Sequence, residues 1–124
     1  MKQETLHIST EKVTDNNTAI ALGSGNLSVY ATPAMVALME KAAKNAVIEL
    51  LKPGETTVGA EIHIKHIKPS IIGANITATA KLALKEGHKL SFTIEAKDEK
   101  GIIGNGTHIR YIVEKERFMQ RAAE

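Results

Sequence analysis

The sequence of 124 residues carries 16 Lys and Arg against 14 Asp and Glu, which gives a formal net charge of +2 at neutral pH. This length predicts a single domain spanning residues 1–124, and the small charge excess together with 3% aromatic residues argues against a nucleic-acid partner. The sequence contains no Cys, which excludes disulfides, thiolate catalysis and Cys-ligated zinc or iron–sulfur clusters.

The N-terminal segment MKQETLHIST is polar and lacks the apolar stretch of a signal peptide. No part of the sequence approaches the roughly 20 consecutive apolar residues of a membrane-spanning helix. We therefore expect a protein without a membrane partner. The absence of Cys is compatible with a cytoplasmic location, where thiols stay reduced.

The first third of the chain predicts one or two short strands. Residues 4–13 alternate weakly between apolar and polar side chains, which indicates a first strand, and TDNN at residues 14–17 is a turn signal. The following AIALGSGNLSVY begins apolar and becomes rich in Gly, Ser and Asn. We predict that it forms a short strand followed by a flexible loop.

The segment VYATPAMVALMEKAAKNAV predicts one long amphipathic helix. Thr32 is predicted to be its N-cap and Pro33 its first residue, because Pro lacks the N–H that has no partner there. Over residues 34–51 one wide arc is apolar, formed by Met35, Met39, Ala42, Ala43, Ala46, Val47 and Leu50. The turn sequence KPGE at residues 52–55 is expected to end the helix.

Glu40 lies at the margin of this apolar arc, where a carboxylate needs a partner if it is buried. One interpretation is a boundary carboxylate paired with Lys44 one turn later. The other is a carboxylate held under a sheet to orient or activate another group. Thr32 is similarly ambiguous, because its hydroxyl can cap the helix or lie beside a ligand at the helix N-terminus.

The chain changes to a two-residue period after the helix. In TTVGAEIHIKHIKP the apolar residues Val58, Ala60, Ile62 and Ile64 are predicted to face inward. The segments ANITATAKLALKE, HKLSFTIEAKDEK and GIIGNGTHIRYIVEK predict three more strands, and EKERFMQRAAE predicts a short C-terminal helix or a frayed tail. The order of elements predicts an α+β fold, in which four strands can form an antiparallel meander curled around the long helix.

The same alternation places His66 on the inner face and His63 on the outer face, so HIKH is a poor metal-binding pair and we predict no metal site. An inward His66 is either a core-edge side chain bonded to a backbone carbonyl or a functional group. In GNGTHIR, the Gly residues indicate a bulge or a close backbone approach. His108 and Arg110 are predicted to lie on the solvated outer face of that strand.

Four segments resemble, in order, the hotdog-fold thioesterases and in particular the group typified by fluoroacetyl-CoA thioesterase. They are ATPAMVALMEKAA, KPGETTVGAEIHIKHIKPSIIG, GHKLSFTIEAKDEKGIIGNGTHIR and EKERF, within residues 29–118. The resemblance implies a hotdog fold, with an antiparallel sheet wrapped around one central helix. It also implies hydrolysis of a short-chain acyl-CoA without a cofactor, and a homodimer or a dimer of such dimers with active sites at the subunit interface.

The resemblance also implies the site residues. The catalytic Thr, Glu and His of the family fall on Thr32, Glu40 and His66, and the Gly whose backbone lies near the substrate carbonyl falls on Gly59. The Phe side chains that form a lid over the acyl group in the fluoroacetyl-CoA enzyme have no counterpart, because Tyr30 is the nearest aromatic residue. We therefore expect a different acyl preference.

Three alternatives stay open. One is a non-catalytic acyl-CoA-binding or regulatory module on the same fold, and another is an enoyl-CoA hydratase-like enzyme. Such hydratases usually pair an Asp with a His on a motif that this sequence lacks. The third alternative is a purely structural dimer.

Overall fold

The computed structural model describes residues 4–124. In chain order, the elements are strand β1 (Leu6–Lys12), helix α1 (Ala19–Leu22), helix α2 (Thr32–Ala46), a 3₁₀ turn (Ile48–Leu50), strands β2 (Glu55–His66), β3 (Asn75–Glu86), β4 (Lys89–Asp98) and β5 (Gly101–Glu114), and helix α3 (Lys115–Ala122). The five strands form one antiparallel sheet in the order β1-β3-β4-β5-β2. The predicted α+β class and the predicted C-terminal helix are confirmed.

The sheet is a meander only from β3 to β5, because β2 pairs with β5 and not with β3. The connection of residues 67–74 therefore crosses the end of the sheet instead of making a hairpin. Its backbone groups are satisfied on the way, since Ile67 N–H donates to the Ile103 carbonyl and Tyr30 N–H donates to the Ser70 carbonyl. As a consequence, β2 is an edge strand.

The core lies between α2 and the face of the sheet that curls around it. The helix contributes Ala34, Met35, Leu38, Met39, Ala42 and Ala43, and the sheet contributes Ile76, Ala78, Ala80, Leu90, Phe92, Ile94 and Ala96. Burying a Leu, Ile, Phe or Met side chain of this kind contributes about 1.5–3 kcal/mol. Within residues 4–124, no helix is both long and apolar enough to cross a membrane.

Both ends of the long helix differ from the prediction. Its N-cap is Ala31, so Thr32 is the first helical residue and does not cap. The α-helix ends at Ala46, and Leu50, predicted to be part of the apolar arc, is 42% exposed. Because the hydroxyl of Thr32 does not cap the helix, it is left for another partner.

The predicted short strand that begins at Ala19 is wrong, because Ala19–Leu22 forms one helical turn. Local hydrogen bonding explains the difference. Thr18 caps the turn by accepting a hydrogen bond from Ala21 N–H at 3.2 Å, and Gly23 closes it with a left-handed φ of 72°.

Strand β2 contains a bulge that reverses its predicted inner and outer faces at the N-terminal end. The pairing with β5 shifts between Gly59 and Glu61, and an extra residue at a bulge changes which side chains face inward. Gly59 therefore faces the helix, whereas Ala60, predicted to be inward, is exposed. The prediction for Ile62 and Ile64, beyond the bulge, is confirmed by their contacts with the core.

The predicted outer-face position of His108 and Arg110 is also wrong, since they are only 2% and 6% exposed. Polarity misled the prediction, because these two side chains are buried through hydrogen bonds to each other and to β2. The neighbouring Thr107 and Tyr111 face solvent instead.

The predicted close backbone approach in β5 is confirmed. A Cβ atom on Gly106 would overlap the carbonyl oxygen of His63 in β2, and a Cβ on Gly104 would lie 2.7 Å from the side chain of Met35. Only Gly fits at these two positions without displacing its neighbours.

Replacing Gly106 with Ala is therefore expected to lower the free energy of unfolding by about 1–3 kcal/mol, because backbone must move to admit the methyl group. Urea denaturation measures the change. The exposed Thr107→Ala is the matched control and should stay within about 0.5 kcal/mol of the wild type. Equal stability of the two variants would contradict the close approach.

Candidate active site

Thr32 and His66 form the first group of the candidate site. The hydroxyl oxygen Oγ1 of Thr32, at the start of α2, lies 2.7 Å from Nδ1 of His66, at the end of β2. The crossing of β2 over the helix N-terminus creates this contact, which joins residues 34 positions apart. Two residues that the resemblance marks as catalytic thus meet within one chain.

The second ring nitrogen of His66, Nε2, is buried and has no hydrogen-bond partner among the described residues. Burial lowers the pKa of His66, and a polar contact with the backbone of Lys68 acts in the opposite direction. A neutral imidazole with one unoccupied nitrogen can accept a proton. A buried nitrogen without a partner is also costly, so a hydrogen-bonding group brought to this point would be stabilised there.

Glu40 and Gly59 form the second group. The Oε2 oxygen of Glu40 lies only 2.7 Å from the position that a Cβ atom on Gly59 would occupy, so the carboxylate uses the space left by this Gly. Oε2 is also 3.9 Å from Nη1 of Arg110, and the side chain of Glu40 remains 40% exposed. Among the described residues Glu40 pairs with Arg110 and not with Lys44.

Arg110 is the buried cation of this second group. Its Nε donates to the Thr57 hydroxyl at 2.9 Å and its Nη2 donates to the Thr57 carbonyl at 3.1 Å. Burial lowers the pKa of Arg110, and the nearby charge of Glu40 acts in the opposite direction. Arginine stays protonated in proteins, so the buried guanidinium needs Glu40 as its counter-charge.

His108 and Arg110 belong to this group, although their polarity predicts a position on the outer face. One signal in the sequence points to them: Gly104, Gly106, His108 and Arg110 are spaced by two residues and therefore share one face of β5. Because Gly in a strand marks a close backbone approach, this spacing favours the inner face for the whole series.

The two groups do not meet within one chain. A helix rises about 1.5 Å per residue, which places Glu40 roughly 12 Å from Thr32 along α2. Gly59 and His66 are separated by roughly 20 Å along β2, at about 3.3 Å per residue. Each chain thus presents two half-sites, Thr32 with His66 and Glu40 with Gly59.

A cavity of about 340 Å³ opens beside Thr32 and His66. Its wall includes Ala19, Ser24, Val29 and Tyr30. Tyr30 is 1% exposed and its hydroxyl donates to Glu11, so its ring is a fixed wall and not a lid. Burial and the neighbouring Glu11 raise the pKa of Tyr30 well above its usual range.

Within residues 4–124, no three His, Asp or Glu side chains lie close enough together to hold one metal ion.

The stability of the fold is expected to fall below about pH 6.5, the ordinary pKa of His. Burial lowers the pKa of both His66 and His108, so the unfolded chain binds more protons than the folded chain as the pH drops through this range. The free energy of unfolding therefore decreases with falling pH until both folded-state pKa values are passed.

Urea denaturation at about pH 7.5 and about pH 5.5 measures this loss, which should be smaller in His108→Gln, since one of the two groups no longer titrates. The exposed His7→Gln is the control and should keep the wild-type difference. Identical pH dependence in all three proteins would contradict a buried neutral His108.

Comparison with known proteins places these observations in a family. The sequence profile of the family described as fluoroacetyl-CoA-specific thioesterase matches residues 13–116. A curated fluoroacetyl-CoA thioesterase from Streptantibioticus cattleyicolor is 40% identical over 90 residues, or 73% of this chain. The alignment spans 65% of the length of that relative.

Solved structures agree with the sequence comparison. The structure of the fluoroacetyl-CoA thioesterase FlK superposes with a TM-score of 0.92 at 31% identity, over 99% of this chain and 96% of that chain. A thioesterase superfamily member from Thermus thermophilus superposes with a TM-score of 0.88 at 25% identity, over 98% of this chain and 93% of that chain. The predicted hotdog fold and the predicted resemblance are confirmed, and the chain belongs to the fluoroacetyl-CoA-specific thioesterase family.

Proposed function

We propose that this protein is an acyl-CoA thioesterase that hydrolyses a short-chain acyl-CoA to a carboxylate and free CoA. Family membership supports the reaction class. The observation that carries the site is the 2.7 Å contact between Thr32 and His66 beside a cavity, with Nε2 of His66 left without a partner.

In the proposed mechanism, Thr32 orients the thioester or attacks its carbonyl carbon, and His66 acts first as general base and then as general acid. If water attacks, it loses a proton to His66, the C–S bond breaks, the CoA thiolate takes up that proton, and the carboxylate is released. If Thr32 attacks, the same proton transfers leave an acyl ester on Thr32, and a water activated by His66 then hydrolyses this ester to the carboxylate and free Thr32. Glu40 stabilises the imidazolium of His66 or activates the water. A backbone N–H near Gly59 stabilises the oxyanion, a contribution of roughly 10²–10³-fold in rate.

The mechanism requires Glu40 and His66 to act together, which two chains can achieve. Strand β2 is an edge of the sheet, and exposed edges are templates for pairing with another chain. If two copies of β2 pair antiparallel, the Gly59 end of one copy lies beside the His66 end of the other. Both residues face the helix side, so the half-sites meet twice in each homodimer.

Two features of the single chain support this homodimer. Nε2 of His66 is buried without a partner, and the carboxylate of Glu40 is still 40% exposed although it sits beside a buried cation. Each half-site thus offers what the other lacks: an imidazole nitrogen that can carry an N–H, or a carboxylate that accepts from it. Association of such dimers into tetramers and the cytoplasmic location stay predictions.

The cavity beside Thr32 and His66 is the proposed acyl pocket. Its wall combines the apolar side chains of Ala19 and Val29 with the ring of Tyr30, and it contains no Phe. We therefore expect an acyl preference that differs from that of its fluoroacetyl-CoA-specific relatives.

A panel of short acyl-CoAs, fluoroacetyl-CoA included, tests the function with a reagent that detects the released thiol. The expected result is turnover of one or more short acyl-CoAs by the folded wild-type protein. Binding of CoA by calorimetry without any turnover would favour the non-catalytic module. Hydration of crotonyl-CoA would favour the hydratase, and neither binding nor turnover would favour a purely structural dimer.

A further inference from the structure

His108 is a buried titratable group that the proposed mechanism does not use. It lies on the inner face of β5, is 2% exposed, and stacks on Phe92 of β4 with ring centroids 6.0 Å apart and an interplanar angle of 30°. Because so little of its surface is accessible, His108 is out of reach of a substrate. Its effect on a reaction must pass through the residues it contacts.

The two contacts of the imidazole define its protonation. Nδ1 lies 2.8 Å from the carbonyl oxygen of Glu61, which only accepts, so Nδ1 carries the proton. Nε2 lies 3.3 Å from Nη1 of Arg110, which only donates, so Nε2 offers its lone pair. A protonated ring would direct an N–H at the guanidinium. The site therefore selects one neutral tautomer of His108.

Both residues that His108 contacts, Glu61 and Arg110, affect the position of the Glu40 carboxylate. Glu61 directly follows the bulge, where the pairing of β2 with β5 shifts after Gly59, and its carbonyl fixes the local path of the backbone. Arg110 is the cation 3.9 Å from the carboxylate of Glu40. His108 thus holds both the backbone that leaves room for the carboxylate and the charge that faces it.

We propose that His108 is a positioning residue, which as a neutral imidazole holds the Arg110 guanidinium and the Glu61 carbonyl and so fixes the carboxylate of Glu40 beside Gly59. This role rests on the proposed thioesterase function, in which Glu40 is catalytic. The ionisable or charged groups that face His108 are Arg110 on its own strand and Glu40 on α2. Phe92 covers the ring from β4.

Three substitutions separate the two contacts. His108→Asn places an amide where Nδ1 stood and can keep the bond to Glu61. His108→Gln places an amide oxygen where Nε2 stood and can keep the bond to Arg110. His108→Phe keeps a ring of similar size and loses both bonds. We expect the Phe variant to lose about 10-fold in kcat with little change in KM, and each amide variant to lose less.

A double-mutant cycle with Glu40→Gln decides whether His108 acts through Glu40. The expected result is that His108→Phe has no further effect on kcat once Glu40 is replaced. A general loss of packing would instead lower kcat by the same factor in both backgrounds, and that outcome would overturn the proposal. The exposed His88→Gln is the matched control and should leave kcat unchanged in both backgrounds, relative to the wild type and to Glu40→Gln respectively.

Two further readouts keep the test decisive. If His108→Phe does not fold, the cycle is run with His108→Gln, and unchanged kcat in that variant and in His108→Asn would overturn the proposal. ¹⁵N NMR of labelled His should show His108 protonated at Nδ1 alone at neutral pH. An imidazolium or the Nε2–H tautomer would overturn the proposal, whereas absence of turnover by the wild type would overturn the proposed function itself.

Discussion

His66→Asn is expected to lower kcat by about 10³-fold, within the range that a general acid–base group contributes. The amide of Asn can replace the hydrogen bond between Nδ1 and the Thr32 hydroxyl, which the structure gives as 2.7 Å. It cannot accept and return a proton. The loss should therefore appear in kcat for every acyl-CoA that is turned over, with a smaller change in KM.

His63 provides the matched control for this prediction. It lies on the same strand three residues earlier, but its side chain is 76% exposed on the opposite face, beside Glu61. His63→Asn should therefore keep the wild-type kcat. Full activity of His66→Asn, or equal losses in both variants, would remove His66 from the proposed catalytic machinery.

Mixing two impaired variants is expected to restore activity. Glu40→Gln and His66→Asn each damage one half-site, so a homodimer of either variant has no intact site. In a mixed dimer, His66 of the first variant meets Glu40 of the second, and one of the two sites is complete. Random exchange of subunits makes half of the dimers mixed, so the mixture should recover about one quarter of the wild-type kcat.

If the mixture recovers no activity, that result would contradict an active site shared between two subunits. If Glu40 and His66 of one chain acted together, every site in a mixed dimer would keep one defect. The control is each variant taken alone through the same exchange procedure, which should keep its low kcat. Light scattering on the wild type reports independently whether the homodimer forms.

Local patterns in the sequence were enough for most of the framework. Thr32-Pro33 indicated the start of α2, and the two-residue period indicated β2 and placed His66 inward. Glu40 stood out as a charge at the edge of an apolar arc. These predictions succeed because helix and strand periods depend on neighbours within a few residues.

Other features depended on contacts between distant parts of the chain. His108 and Arg110 lie inside because each finds a hydrogen-bond partner on β2, which polarity alone cannot predict. The bulge at Gly59 reverses the faces of β2. The hydroxyl of Thr32 bonds to His66 instead of capping its helix, because the end of β2 arrives there.

The sequence by itself determined the α+β class, the long amphipathic helix and the unusual positions of Glu40 and His66, since each follows from local spacing and polarity. Only the tertiary structure decided that Thr32 joins His66 while Glu40 joins Gly59 and Arg110. The physical reason is that strand pairing and the bulge set which side chains meet, and both depend on residues far apart in the chain.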